Sequence, residues 1–243
     1  MFRLIPLWLL AVLILVASPA QAQQKAKPKK QLVFVDFVVM SEGHGLKERA
    51  AYDAKADPIA ARYGIKRFAS LDIVQNVVSQ NFRPVRLDLW LLPSPQALSA
   101  WSKDPDYKAL LPYRNCVHDM KALTLYFAVP ALPLRKVKKA HYMIELQTMG
   151  PGFDAKTFAA YEKKSDLIAE LYAVRRVAAL SLSKKIIGAG PSGQRLNVWY
   201  LPNEGNFKAW GNNKDFKALV PVRQKLFDMS TYTMLIARGR PNP

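Results

Sequence analysis

The chain has 243 residues, half of them apolar, with 36 basic against 18 acidic side chains, 17 prolines, 11 glycines and one cysteine. This composition excludes a disordered polymer and a disulfide scaffold. The only long uncharged apolar run lies within the first 22 residues, which excludes a multi-pass membrane protein.

Arg3 precedes an apolar stretch from Leu4 to Val16, and Ala20-Gln21-Ala22 offers the small residues that a signal peptidase reads. Residues 1–22 are therefore expected to be a signal peptide cleaved near Ala22. Thirteen apolar residues are too few to cross a hydrocarbon core of about 30 Å comfortably. Residues 23–31 form a basic tail with Lys25, Lys27, Lys29 and Lys30, and the mature chain is expected to be periplasmic or secreted.

From residue 32 the pattern is that of a folded domain. Residues 32–40 (LVFVDFVVM) read as a strand of branched and aromatic residues, and 46–63 as an alanine-rich helix with Pro58 as a kink or break. Extended segments follow at 67–80 and 85–92 around a turn at 81–84; a helical region then carries Trp101, and a last strand covers 122–129. Beyond a basic linker at 131–140 the same order returns. A strand at 141–149 and a helix at 153–172 precede strands at 175–188 and 195–201 about a turn at 189–193; a helical region with Trp210 and a strand at 231–237 complete it.

The second half repeats the first. Residues 101–120 and 210–229 share nine of twenty residues at an offset of 109, and the same offset, without a gap, pairs Trp90 with Trp199, Arg86 with Arg195, Tyr52 with Tyr161 and Arg67 with Arg176. That period is far longer than the roughly 20 to 50 residues of solenoid repeats. The chain is thus expected to be a doubled domain, 32–130 and 141–238, with 239–243 as a tail. Each half reads β-α-β-β-α-β, the split order of a ferredoxin-like α+β sandwich. The first strand is apolar at nearly every position, so both faces of its sheet must be covered. Helices cover one face. The other half's sheet is expected to cover the second, in an intramolecular pseudo-dimer.

Several motifs carry a resemblance. Tyr63-Gly64 and Tyr172-Ala173 follow the first helix of each half, and a pattern of tryptophan, aromatic, leucine and arginine follows the third strand (Trp101, Tyr107, Leu110, Arg114; Trp210, Phe216, Leu219, Arg223). The chain resembles the dimeric α/β-barrel superfamily, most closely its short bacterial members of uncharacterised function, and more distantly the antibiotic-biosynthesis monooxygenase-like, EthD-like and NIPSNAP proteins. The resemblance implies two tandem ferredoxin-like domains closing an intramolecular dimeric α/β barrel. It departs from the usual single-domain homodimer by tandem fusion. The second copy also lacks Asp104-Pro105 and has Phe216 for Tyr107.

Most of the net charge of +18 lies in the tails and linker. Residues 31–130 carry net +2 and 141–237 net +5, so no strongly basic folded face is expected and nucleic acid is not an expected partner. The basic tails suit solvated linkers or an anionic membrane surface or envelope polymer.

Charges inside strands are costly to bury and mark candidate sites. Asp36 sits within the first strand and Glu145 at the same place in the second copy, while Arg86 and Arg195 open the third strand of each half. In a 4-1-3-2 sheet these strands are neighbours, so each acid is expected to meet its arginine. Arg86, Asp88 and Trp90 share a face, as do Arg195, Asn197 and Trp199. The stripe reads as a buried ion pair that fixes register, or as a cleft orienting a small aromatic or anionic ligand. The tryptophan motifs read as core packing, with Arg114 and Arg223 near the ends of those helices, where they can satisfy terminal carbonyls and the helix dipole. Cys116 has no cysteine to pair with and reads as a small buried hydrophobe, not facing His118. His44, in the loop Ser41–Gly45, is placed like a mobile active-site group. His44, His118 and His141 have no histidine counterpart in the other half, where Phe153, Phe227 and Leu32 stand. No metal-ligand spacing, P-loop, GxGxxG or GxSxG occurs, so neither a metal nor a cofactor is expected. The expected function is an exported, non-catalytic small-ligand-binding or scaffold protein. The resemblance implies the alternative, a cofactor-independent monooxygenase or isomerase acting on a small aromatic or polyketide-like substrate.

Overall fold

The structure is a computed structural model that describes residues 31–79, 82–188, 190–191 and 193–240. The expected signal peptide, the basic tail before Gln31, the turn residues Asn81 and Ala189, and the last three residues of the C-terminal tail lie outside them.

The first half forms β1 (Leu32–Val38), α1 (Leu46–Arg62), β2 (Lys66–Val78), β3 (Arg86–Leu92), α2 (Pro95–Lys103), α3 (Pro105–Val117) and β4 (Thr124–Pro130). The second forms β5 (His141–Gln147), α4 (Ala155–Glu170), β6 (Arg175–Ile187), β7 (Arg195–Leu201), α5 (Glu204–Asn212), α6 (Lys214–Lys217), α7 (Val220–Leu226) and β8 (Thr233–Gly239). Each strand of the second half starts and ends 109 residues after its counterpart.

The strands close into one antiparallel barrel in the order β1-β3-β2-β8-β5-β7-β6-β4. Each half keeps the 4-1-3-2 order, and the halves join where β2 pairs with β8 and β4 with β6. Closure pairs every strand on both sides and leaves no edge open. Val33, Val35, Phe37, Leu87 and Leu89 from one half meet Tyr142, Ile144, Leu146, Leu196 and Val198 from the other in the interior. Each such side chain, fully buried, stabilises by about 1.5–3 kcal/mol, so the expected mutual covering of the two sheets is where most of the apolar driving force resides. The intervening residues point outward. On β1 and β3 these are Phe34, Asp36, Arg86, Asp88 and Trp90, and the helices lie over them.

One local expectation is narrowed and two are corrected. Helix α1 is not broken at Pro58: it loses one N–H donor there, but Ile59 and Ala60 immediately beyond are buried and hold the next turn in place. The helical region after β3 is two helices, because Asp104 is extended (ψ 132°), accepts the N–H groups of Asp106 and Tyr107, and is followed by Pro105, which starts a new helix well. Cys116 is exposed on α3 and not a core residue.

The Tyr-Gly motif has a backbone cause. Gly64 adopts φ +70° and its N–H bonds the Ala61 carbonyl at 2.9 Å, ending α1 with a left-handed residue. Ala173 holds the same place at φ +53° despite its Cβ.

Candidate functional site

Between the outer face of β1, β3 and β4 and the helices α1–α3 lies a cavity of about 500 Å³. Its wall is mostly apolar and aromatic, including Phe34, Trp90, Leu98, Trp101, Leu123 and Phe127, with Tyr52 and Tyr107 from the helices. Ile186 and Ile187, at the end of β6, complete it from the other half of the chain.

A buried charge network forms one side. Arg49, on α1 and 3% exposed, reaches Asp88 at 2.7 Å, Asp53 at 2.9 Å and Asp36 at 3.2 Å. Its Nη1 donates to His118 Nε2 at 3.1 Å. The other imidazole nitrogen of His118, Nδ1, lies 2.9 Å from the Arg114 carbonyl and must donate to it, which places the proton on Nδ1 and the lone pair on Nε2. Burial, and then the Arg49 charge, push the His118 pKa down to about 4, so the ring is neutral. Arg67 joins Asp88 at 2.9 Å and Asp53 at 2.8 Å, and its guanidinium carbon lies 4.2 Å from the Trp90 ring centroid.

The two aspartates that face each other across β1 and β3 are treated differently by this network. Burial disfavours the charge of Asp88, but Arg49, Arg67 and Arg86 outweigh it and hold its carboxyl below the usual carboxylate range. Burial dominates at Asp36 and raises its pKa to about 6, Arg49 offsetting this only in part. Asp36 and Trp90 line the cavity, and Asp36 Oδ1 and Trp90 Nε1 are buried and find no hydrogen-bond partner among the described residues.

At the corresponding place the second half is filled. Phe158 stands for Arg49, Phe227 for His118, Asn197 for Asp88 and Tyr232 for Leu123. Phe158 packs edge-on against Phe227, with ring centroids 6.0 Å apart. Trp210 is 2% exposed, whereas its counterpart Trp101 is only half-buried. Trp199 Nε1 donates to Glu145 Oε2 at 2.7 Å, and the Tyr232 hydroxyl donates to Glu145 Oε1. The longer acid therefore satisfies an indole and a phenol that the first half does not pair with Asp36.

Of the residues nominated from the sequence, Asp36 and Trp90 line the cavity. Glu145 and Trp199 lie in the filled half. The expected pairs Asp36–Arg86 and Glu145–Arg195 do not form. The antiparallel register sets Asp36 opposite Asp88 and Arg86 opposite Val38, and Arg86 turns to Asp53 at 2.7 Å and Asp72 at 2.9 Å. Arg195 likewise bonds Glu162 at 2.5 Å. His44 is not among the residues that line the cavity; its Nε2 lies 3.9 Å from the Cys116 sulfur. Arg114 and Arg223 sit in the last turns of α3 and α7, where positive charge suits the helix dipole; the Arg114 side chain donates to the Tyr107 hydroxyl at 3.0 Å and Arg114 lines the cavity. Arg49, Tyr52 and Leu123 were not nominated. Their signal was a difference between the halves at Arg49 and Leu123, and mere agreement at Tyr52.

Comparison with known structures identifies the fold. The chain is similar to an anthrone oxidase-like protein at 10% identity and TM-score 0.61, covering 89% of this chain and 94% of that one. It is similar to a candidate monooxygenase from Lactobacillus acidophilus at 10% identity and TM-score 0.52, covering 87% and 94%. A mutant chlorite dismutase from Candidatus Nitrospira defluvii matches at 10% identity and TM-score 0.54, covering 87% and 92%. No protein-family model and no curated protein matches the chain. The fold is that of the dimeric α/β barrels, with all eight strands drawn from one polypeptide.

Proposed function

We propose that this is a small-molecule-binding protein whose ligand, an aromatic compound with a polar group, occupies the cavity of the first half. One observation carries the reading. Asp36 and Trp90 both line an apolar cavity and hold a buried carboxylate oxygen, Oδ1, and a buried indole N–H, Nε1, without partners, while the same pair in the second half is bonded internally. Unpaired buried polar atoms each cost about 1–3 kcal/mol, a cost that a bound ligand offsets. Ligand titration followed by tryptophan emission and thermal shift tests this, since Trp90 and Trp101 both line the cavity. A set of mono- and bicyclic aromatics should raise the melting temperature with the logarithm of concentration; a set that shifts neither signal overturns it.

A second reading, a cofactor-independent oxygenase or isomerase acting on such a compound, is favoured by Asp36 alone, a carboxylate with a pKa near 6 beside an apolar substrate space. Oxygen uptake or isomer turnover lost in Asp36→Asn would support it. Haem fits the cavity poorly, because His118 is the only imidazole in its lining and its Nε2 lone pair is taken by Arg49. The signal-like N-terminus supports work outside the cytoplasm, and the basic tails support association with an anionic envelope surface.

A further inference from the structure

The filled half contains a phenol where the open half has space. Tyr232, 3% exposed, donates its hydroxyl to Glu145, and burial followed by the nearby Glu145 charge keeps the proton on the phenol. The guanidinium carbon of Arg223 lies 5.6 Å from its ring centroid. Moving back by 109 residues, Glu145 becomes Asp36, Arg223 becomes Arg114 and Tyr232 becomes Leu123, and all three line the cavity. The acid and the arginine are kept. The phenol between them is not, and Asp36 is one methylene shorter than Glu145, which withdraws the carboxylate from both the phenol position and the indole.

A hydroxyl group is suited to what remains, because it donates one hydrogen bond and accepts others. Unlike an ether or a ketone, it can give its proton to a carboxylate while taking the N–H of an indole. An ether or ketone offers only acceptors and leaves Asp36 Oδ1 unpaired. The aromatic ring matches the stacking surfaces of Trp101 and the Arg114 cation that the site retains.

We propose that the cavity takes a phenol, its ring lying in the place that Tyr232 fills in the second half, its O–H donated to Asp36 Oδ1 and its oxygen accepting Trp90 Nε1–H. This rests on the ligand-binding reading above and specifies its ligand class. A neighbouring carboxylate of raised basicity, still ionised at pH 7.5, strengthens such a bond.

The test is calorimetric or fluorimetric titration of the mature protein at pH 7.5 with 2-naphthol, 2-methoxynaphthalene and naphthalene. The phenol should bind roughly tenfold or more tightly than its methyl ether, the range expected for a hydrogen bond to a charged acceptor. Leu123→Tyr, which supplies the missing phenol from the chain itself, should abolish 2-naphthol binding and raise the melting temperature. Asp36→Leu should bring 2-naphthol down to the affinity of the ether. Equal affinities for 2-naphthol and its ether in the unmodified protein overturn the phenol assignment and leave the cavity as an aromatic site. Binding of none of the three compounds overturns both that assignment and the ligand-binding reading. Undiminished 2-naphthol binding by a folded Leu123→Tyr protein overturns the pose.

Discussion

The hydroxyl of Tyr63 donates a 2.6 Å hydrogen bond to Asp104, the residue that separates α2 from α3 and caps the second of them. In the other half Tyr172 holds the equivalent position with the polarity reversed: Asn213 Nδ2 donates to the Tyr172 hydroxyl at 2.9 Å while Asn213 Oδ1 caps α6. Both side chains do the same two tasks, tying the end of the first helix to the start of the next and satisfying N–H groups that a helix leaves unpaired.

Asp104→Asn should therefore be well tolerated and Asp104→Ala should not, with the melting temperature of the alanine variant clearly below that of the asparagine variant. Bonds from the Tyr63 hydroxyl hold the Asp104 carboxyl below the usual carboxylate range. The advantage of Asp104 over Asn at that position should accordingly be present above the unfolded carboxylate pKa and fade as pH falls through the depressed folded value.

Ala173 offers a stabilising change. A non-glycine residue at φ +53° bears a steric cost of about 1–2 kcal/mol, partly offset because glycine loses more chain entropy on folding. Ala173→Gly should raise stability by roughly 0.5–1 kcal/mol in urea melts. Gly64→Ala in the first half should lower it by a similar amount, since the position has φ +70°.

The strand order, the duplication and the mutual covering of two sheets were all legible, because they depend on periodicity and offset, which a sequence displays directly. The site was legible only in part. Most of the candidates the sequence offers, such as Arg86 and Arg195 or Trp90 and Trp199, lie where the halves agree, whereas the cavity is defined where they differ. Arg49 against Phe158, His118 against Phe227 and Leu123 against Tyr232 distinguish an open half from a filled one. Partner assignment failed for another reason. Strand adjacency does not fix register, and the pairing that puts Asp36 opposite Asp88 leaves both acids to share a helical arginine that strand reasoning does not consider.

The network around Arg49 should behave as a unit. Arg49→Met leaves Asp88, which is fully buried, short of a principal counter-charge, and should destabilise by about 3–5 kcal/mol. The second half shows the compensated alternative, Phe158 with Asn197 and Phe227. Introducing Arg49→Phe with Asp88→Asn and His118→Phe should recover much of that loss, so the triple variant should be more stable than the sum of its single changes predicts. Urea denaturation of Arg49→Phe, Asp88→Asn and His118→Phe singly and of the triple variant measures the coupling. Additivity would show that Arg49, Asp88 and His118 do not form one electrostatic unit.

Asp36 and His118, both bonded to Arg49, should oppose each other in acid. Asp36 has a folded pKa of about 6 against an ordinary 3.8, so the native state holds its proton over that interval while the unfolded chain does not. Its contribution is favourable below pH 3.8 and is lost as pH rises through 6. His118 has a folded pKa of about 4 against 6.5, so the unfolded chain takes the proton first. Its contribution is present above pH 6.5 and is lost as pH falls toward 4. Each is worth on the order of 3 kcal/mol over its window, and across the shared interval the two slopes nearly cancel. Single substitutions should expose them. Relative to the unmodified protein, Asp36→Asn should become progressively more stable as pH rises from 4 to 7, and His118→Phe progressively more stable as pH falls over the same range. Equilibrium urea melts at closely spaced pH values read both differences directly, and parallel curves for all three proteins would reject the two opposed titrations.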